Sequence, residues 1–282
     1  MNKIVVAIDF SECSINAFLH ALSIAQKCNS DLLLVWVRKS PSDKDKFDDL
    51  EDPSKEVVSH FEELIKKHKP SLPNNKIEYK IRTGKVYKEI ADEARESNAL
   101  LVVTGTHGAT VFVEFWIGSN ANRIVSLSPC PVITIRGGID ILRPLTRIIL
   151  PIDSSMETRQ KATFTAYIAK QHDAEVYILS LYTTKVKAMR QNVDLYSQQV
   201  AAYMEENGIK FNIESVVADN IADNMIEYAR KVDGNLIAIM THTETNTSNL
   251  WMGPYAQQAV NRSPIPVLSI HPMNTMSGGL GF

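Results

Sequence analysis

The sequence lacks several features that would place it in common functional classes. Its three cysteines, Cys13, Cys28 and Cys130, form no C-x-x-C pair, which argues against a disulfide-stapled secreted domain and against a paired-thiol redox site. No apolar run approaches the ~20 residues that a membrane-spanning helix requires. With 30 Lys and Arg against 32 Asp and Glu, the net charge of -2 gives no field that would attract nucleic acid or an anionic membrane. We therefore expect a reduced, cytoplasmic protein without nucleic-acid or membrane partners.

Two well-known phosphate-binding signatures are also missing, the P-loop G-x-x-x-x-G-K-[S/T] and the dinucleotide fingerprint G-x-G-x-x-G. A different pattern is present: Gly105 and Gly108 follow an apolar, β-branched run, and Gly118 comes after nine further residues, directly before Ser119. The run predicts a buried parallel strand, and the apolar spacing over 120–127 predicts a helix that begins near Ser119. Glycines allow close backbone approaches and a helix N-terminus offers free N–H groups, which suits a polyphosphate. Ordinary turn glycines are the alternative, and the residues alone leave it open.

The sequence consists of two copies of one pattern. The run 4–9 recurs at 148–153, and further along the chain the repeat distance falls by nine residues. Over 101–135 against 236–270, 13 of 35 positions are identical. Strand-like runs alternate with amphipathic helix-like runs in both copies, which predicts parallel sheets with helices on both faces.

A stretch with two glycines and a proline separates the copies. We predict two domains, at 1–138 and 145–271, followed by a disordered tail at 272–282 that is rich in Met, Gly and Ser.

The first copy carries the spacing G-x2-G-x9-G-[S/T]. This spacing, together with the duplicated strand and helix pattern, resembles the ATP-binding type of universal stress protein. The resemblance covers nearly the whole chain. It implies an α/β fold of two tandem doubly wound domains, flavodoxin-like or Rossmann-like, each with five parallel strands in the order 3-2-1-4-5, joined as a pseudo-dimer through their fifth strands. In such sheets ligands bind where the strand order reverses, here between the first and fourth strands. The family forms dimers, so we also expect a homodimer, with a protein partner that the sequence does not identify.

By the same resemblance, the first domain holds an adenine nucleotide, ATP or else AMP or ADP, with Mg²⁺ or Mn²⁺. Asp9 would lie within reach of the metal-bridged phosphates, although a turn or helix-capping role is the alternative for this side chain. No residue is assigned a catalytic role. The expected site residues are Ala7, Asp9 and Val37 for the adenosine, Gly105 and Gly108 for the ribose and phosphates, Gly118, Ser119 and Asn120 for the terminal phosphates, and Thr104 at the end of the fourth strand.

The second copy keeps the acid of the first strand as Asp153 but departs from the rest of the pattern. The positions of Gly105, Gly108 and Ser119 are taken there by Met240, Thr243 and Pro254. A methionine side chain would occupy ligand space, a β-branched residue disfavours positive φ, and proline removes an N–H. We therefore predict one nucleotide per chain, in the first domain. His107 and His242 occupy the same place in both copies, so we expect them to pack rather than to catalyse.

The glycine motif contains no lysine or arginine, so phosphate charge would be met by backbone dipoles, the Ser119 hydroxyl and a divalent cation. This composition suits holding ATP more than cleaving it, because efficient phosphoryl transfer adds a base and a cationic stabiliser. We predict a nucleotide-binding stress-response or signalling protein rather than an enzyme, with slow ATP hydrolysis as a variant. One alternative is an adenylating enzyme, whose S-G-G-x-D-S loop is not found at 9–14, where the sequence is D-F-S-E-C-S. The other is an interaction module with an empty site.

Overall fold

A computed structural model of the chain describes residues 2–38, 54–106, 118–137, 143–241 and 254–272. Gly108 of the predicted site, together with His107, Thr243 and tail residues 273–282, lies outside these ranges. In the described part of the first half, strands alternate with helices as the sequence predicts. The elements are β1 (Lys3–Ala7), α1 (Glu12–Cys28), β2 (Asp31–Arg38), α2 (Ser54–His68), β3 (Ile77–Thr83), α3 (Val86–Glu96), β4 (Leu101–Gly105), α4 (Ser119–Leu127) and β5 (Val132–Ile135).

The second half repeats this order with two local differences. A 3-10 turn at Lys69–Ser71 follows α2 in the first half, and the described residues of the second half hold none at the matching place. A 3-10 turn at Met156–Arg159 precedes its first helix, whereas α1 begins directly after its cap. The elements are β6 (Arg147–Ile152), α5 (Lys161–His172), β7 (Glu175–Tyr182), α6 (Lys187–Glu206), β8 (Phe211–Val217), α7 (Ile221–Lys231), β9 (Leu236–Met240), α8 (Pro254–Arg262) and β10 (Val267–Ile270).

The start and end of α1 follow from local chemistry. Ser11 has an extended backbone, and its side-chain oxygen accepts the Ser14 N–H at 3.3 Å, which satisfies one of the free donors of the first turn. At the other end Asn29 adopts the left-handed conformation, with φ 48°, which asparagine tolerates better than most residues. Between these caps, Phe18 and the alanines of the inner face are fully buried against the sheet.

All ten strands form one sheet, in the order β3-β2-β1-β4-β5-β10-β9-β6-β7-β8. Strands pair in parallel within each half. Only β5 and β10 pair in antiparallel fashion among the described strands, with Ile133 opposite Leu268. Each half therefore has the predicted 3-2-1-4-5 order, and the two halves join through their fifth strands. The predicted fold class is confirmed.

Apolar side chains alternate along the strands, so the sheet carries a hydrophobic layer on each face. Ile4 and Val103 belong to the layer covered by α1, α2, α5 and α6, whereas Val5 and Val102 belong to the layer under α3, α4, α7 and α8. Each such side chain, when fully buried, contributes about 1.5–3 kcal/mol of stability. α1 and α5, one from each half, contact each other on the first of these faces.

None of the helices in the described ranges is both long and apolar enough to cross a membrane.

Candidate functional site

The carboxyl ends of β1 and β4 lie side by side in the first half. β1 pairs with β2 on one side and with β4 on the other, so the strand order reverses between β1 and β4. A crevice opens beyond the strand ends at such a point. Ala7, Asp9 and Gly105 stand at this edge of the sheet, and a hydrogen bond of 2.8 Å from the Gly118 N–H to the Thr106 carbonyl brings the start of α4 to the same edge.

Asp9 is the exposed acid of a tight turn. One carboxylate oxygen, Oδ1, accepts the Ser11 N–H at 3.1 Å and the Ser11 hydroxyl at 2.5 Å. The other oxygen, Oδ2, has no hydrogen-bond partner within the described part of the chain. The capping role therefore belongs to Ser11, and Asp9 is a turn residue with one carboxylate oxygen left for another ligand.

The turn is fixed in place by the residue that follows. Phe10 has a left-handed backbone, φ 60°, a conformation that non-glycine residues adopt at some cost. Its ring packs 5.0 Å from that of Phe61 on α2, and Phe61 is fully buried. Aromatic packing thus offsets the strained backbone and keeps Asp9 at the sheet edge.

Gly105 is needed for packing between β4 and α1. A Cβ placed on Gly105 would stand 2.9 Å from the Cys13 Cβ and 3.0 Å from the Cys13 carbonyl carbon. No larger residue fits without moving the first turn of α1, which carries Ser11. This close approach is a structural reason for the glycine that sequence reasoning did not foresee, and it holds whether or not a ligand binds.

The start of α4 presents backbone donors beside this crevice. Gly118 occupies the N-cap position with an extended backbone and makes no side-chain cap hydrogen bond. Within the part of the chain that the structure describes, the first N–H groups of α4 therefore keep their capacity for another acceptor. Ser119 and Asn120 are exposed there. A Cβ on Gly118 would lie 3.0 Å from the Thr106 carbonyl oxygen, so this glycine too has a packing role.

The remaining predicted site residues are half-buried or buried at the carboxyl ends of β1, β2 and β4. Ala7 and Val37 are half-buried, and both pack against the core layer under α3 and α4. Thr104 is buried, and its hydroxyl donates to the Gly105 carbonyl at 3.2 Å. The Thr104 side chain thus contributes to packing beneath the crevice.

The second half repeats the acidic turn. Oδ1 of Asp153 accepts the Ser155 N–H at 2.7 Å and the Ser155 hydroxyl at 2.5 Å. The Asp153 N–H donates to Thr158 Oγ1 at 3.2 Å, as the Asp9 N–H donates to Ser14 Oγ at 3.3 Å. Asp153 is half-buried, however, whereas Asp9 is exposed.

A lysine fills the space beside the second turn. Lys161 is 1% exposed, and its ammonium donates to the Thr158 carbonyl at 2.9 Å and to Thr158 Oγ1 at 2.8 Å. Burial lowers the pKa of Lys161 to about 8, while the negative charge of Asp153 opposes that shift. The second half therefore carries its own cation where the first half has Ala17.

Two further positions around this turn carry larger side chains in the second half. Met240, 3% exposed, occupies the place of Gly105, and Tyr255 occupies the place of Asn120. Loss of solvent contact and the charge of Asp153 raise the pKa of Tyr255, which places its phenol near that carboxylate. Sequence reasoning identified Met240 but missed Lys161 and Tyr255. Aligning the first helices of the two copies would have shown Lys161, a charged residue in an apolar stripe.

Comparison with known proteins identifies the family. The model of the universal stress protein family matches residues 1–136 and again 144–271. The chain belongs to the universal stress protein family. The family unit occurs twice, in agreement with the internal repeat and with the two five-stranded halves of the sheet.

Individual universal stress proteins match either about half of the chain or nearly all of it. One from Methanocaldococcus jannaschii is 30% identical over 142 residues, which is 48% of this chain and 81% of that protein. Universal stress protein YxiE of Bacillus subtilis is 25% identical over 146 residues, 48% of this chain and 99% of its own. Among solved structures, a universal stress protein from Archaeoglobus fulgidus superposes with a TM-score of 0.74 at 16% identity, covering 96% of this chain and 99% of that one. The last likeness shows that the tandem fold is shared.

Proposed function

We propose that this universal stress protein binds one adenine nucleotide, ATP with Mg²⁺ or Mn²⁺, at the switch point of its first half, and that the bound state serves stress-response signalling. One observation carries the proposal: the two halves share an acidic turn, but among the described residues the second half carries larger side chains at three positions around it. There Lys161, Met240 and Tyr255 occupy the positions of Ala17, Gly105 and Asn120.

The first half offers donors at one end of the crevice and an acceptor at the other. The N–H groups of the first turn of α4, with Ser119 and Asn120, would meet the terminal phosphates. The free Oδ2 of Asp9 would hold a divalent cation that also binds the phosphates. No three His, Cys, Asp or Glu side chains within the described ranges group to hold a metal unaided, so phosphate oxygens and water would complete the coordination.

Binding rather than hydrolysis suits this set of groups. Arg123, one turn into α4, lies with its guanidinium carbon 4.9 Å from the centre of the Tyr87 ring, a cation–π contact that directs it to α3. Phosphoryl transfer is normally accelerated by a positioned base and a cationic group at the transferred phosphate. We infer a nucleotide-binding protein in which hydrolysis, if it occurs, is slow. A cytoplasmic location, a homodimer and a further protein partner belong to the same proposal.

A second function, an interaction module with an empty site, is favoured by one specific observation. Gly105 and Gly118 both have packing reasons to be glycine, against Cys13 and against the Thr106 carbonyl. Their presence therefore does not require a ligand.

Calorimetric titration of ATP and Mg²⁺ into Asp9→Asn and Asp153→Asn distinguishes the two functions. The matched substitutions remove the same charge from the same turn in each half. We expect one equivalent of ATP on the unmodified protein, binding at least about tenfold weaker in Asp9→Asn, and unchanged affinity in Asp153→Asn, with thermal melts confirming that both variants fold. Absence of binding at millimolar ATP would contradict the nucleotide proposal and favour the interaction module.

A further inference from the structure

Two histidines lie in the contact between the halves. His20 is on α1 and His172 is the last residue of α5, the two helices that pack together on one face of the sheet. His20 is 7% exposed. The two positions are not equivalent in the repeat, since His20 corresponds to Phe164 and His172 to Cys28. The pair is thus a feature of the tandem chain and not of either copy.

Neither imidazole has the partners that a buried cation requires. The Nε2 atoms of His20 and His172 are both buried without a hydrogen-bond partner among the described residues. No carboxylate in the described ranges forms an ion pair with either ring. A proton added to either ring would therefore create a buried charge without compensation, which is costly.

The charged neighbours make this cost larger. Burial, and then the charge of His172, lowers the pKa of His20 to about 4. Burial, and then the positive charge of Lys27 on α1, lowers the pKa of His172 to about 4. Both rings are thus neutral at pH 7.

The other titratable groups of this contact are neutral at that pH or point elsewhere. Cys28 of α1 interacts with Tyr167 of α5, and burial raises the pKa of Cys28 to about 11. Tyr167 Oη also accepts from Asn2 Nδ2 at 3.4 Å. His68 of α2 packs on Phe18, two residues before His20 on α1, while Lys170 and Asp173 beside His172 are exposed. The sheet beneath contributes apolar side chains of one continuous core layer.

We propose that His20 and His172 form an acid-sensitive lock between the two halves: neutral imidazoles pack in the α1–α5 contact, and their protonation loosens that contact. The direction follows from proton linkage. Both groups bind protons more weakly in the folded chain than in the unfolded chain, where histidine titrates near 6.5. Their contribution is complete above pH 6.5 and is lost as the pH falls from there toward 4. Each histidine changes the folding equilibrium by up to tenfold per pH unit in this window.

Urea unfolding of the full chain at pH 7, 6, 5 and 4.5 tests the lock, with His20→Phe/His172→Gln as the variant. Phenylalanine is the residue that the second copy carries at the position of His20. We expect the unfolding constant of the unmodified protein to rise more steeply on acidification than that of the variant, by up to about 100-fold per pH unit from two protons. His60→Gln is the matched control, because His60 packs on Phe10 within the first half at 5.2 Å, and it should keep the steep dependence. Equal slopes in the double variant and the unmodified protein overturn the proposal.

Two measurements on the unmodified protein guard against a variant that folds poorly. Proton NMR titration of the histidine rings should show His20 and His172 neutral down to about pH 5, and a midpoint near 6.5 for both contradicts the lock. Amide exchange, corrected for intrinsic rates, should show that α1 and α5 lose protection first at pH 5. Protection of α1 and α5 that outlasts the rest of the chain also overturns it.

Discussion

The two halves share one fold and one acidic turn, but they differ in what stands beside the turn. In the first half an exposed Asp9 lies near Gly105 and the open start of α4. In the second half the turn of Asp153 adjoins the buried ammonium of Lys161. The turn therefore serves to join a strand to a helix in both halves, and its acid does not by itself mark a nucleotide site.

The difference extends to how the next helix begins. Ser11 caps α1 with its side chain, whereas Ser155, at the same place in the repeat, makes no side-chain cap hydrogen bond and leads into a 3-10 turn. Lys161 is consequently the first residue of α5, while Ala17 lies within the body of α1. The delayed helix start places the lysine close to the turn, where its ammonium can reach the Thr158 oxygens.

Truncating the buried Lys161 side chain should destabilise the second half most strongly. We expect Lys161→Ala to lower the free energy of unfolding by about 3 kcal/mol, because it leaves a cavity and removes the donor to the Thr158 carbonyl and hydroxyl oxygens. Lys170→Ala, at an exposed position of the same helix, is the control and should change stability by less than about 0.5 kcal/mol. Denaturant unfolding measures both. A loss below about 1 kcal/mol for Lys161→Ala would show that the packing and hydrogen bonds of this side chain do not stabilise the second half.

Importing the second half's residues into the first should close the candidate site. Ser119→Pro/Asn120→Tyr removes one N–H and fills the start of α4 with a phenol ring. We expect ATP binding, measured by calorimetry, to weaken by about 30-fold, equivalent to about 2 kcal/mol from two lost hydrogen bonds. The reciprocal Pro254→Ser/Tyr255→Asn is the control and should leave binding to the first half unchanged. Equal affinities for the two double variants would place the nucleotide elsewhere.

The titration of Lys161 should make the free energy of unfolding of the whole chain depend on pH in alkaline solution. The pKa of this lysine is about 8 in the folded protein and about 10.4 in an unfolded chain, so the unfolded chain holds one more proton between these values. Stability should therefore rise with pH from about 8 to 9.5, by at most about 1.4 kcal/mol per pH unit. Above pH 10 tyrosines with a raised pKa, such as Tyr228 at about 12, act in the opposite direction. Lys161→Met, which keeps the volume but not the charge, should flatten the rise, and an unchanged slope in that variant would contradict the assignment.

The fold could be predicted from the sequence because its determinants are local and repeated. Short stretches of sequence suffice to predict the β-branched strands, the amphipathic helices and the Ser11 cap. The repeat of 4–9 at 148–153 indicated that the chain divides into two domains. The parallel order of each half and its junction through β5 and β10 agreed with the family resemblance.

The candidate site could be predicted only in part, because its distinguishing contacts depend on tertiary packing. The glycine motif predicted where the candidate site lies in the sheet. It did not show why position 105 must be glycine, because that depends on the close approach of β4 to Cys13 on α1. Lys161 and Tyr255 face Asp153 only once α5 and α8 dock on the sheet. The pairing of His20 with His172 joins positions that lie in different copies, and no periodicity within one copy indicates it.

A crystal structure of the full chain grown with ATP and Mg²⁺ tests the central claim most directly. The account predicts one nucleotide per chain, with its phosphates between the Asp9 turn and the first turn of α4, and no nucleotide beside Lys161. A nucleotide bound in the second half, or an empty first half at millimolar ATP, would contradict it.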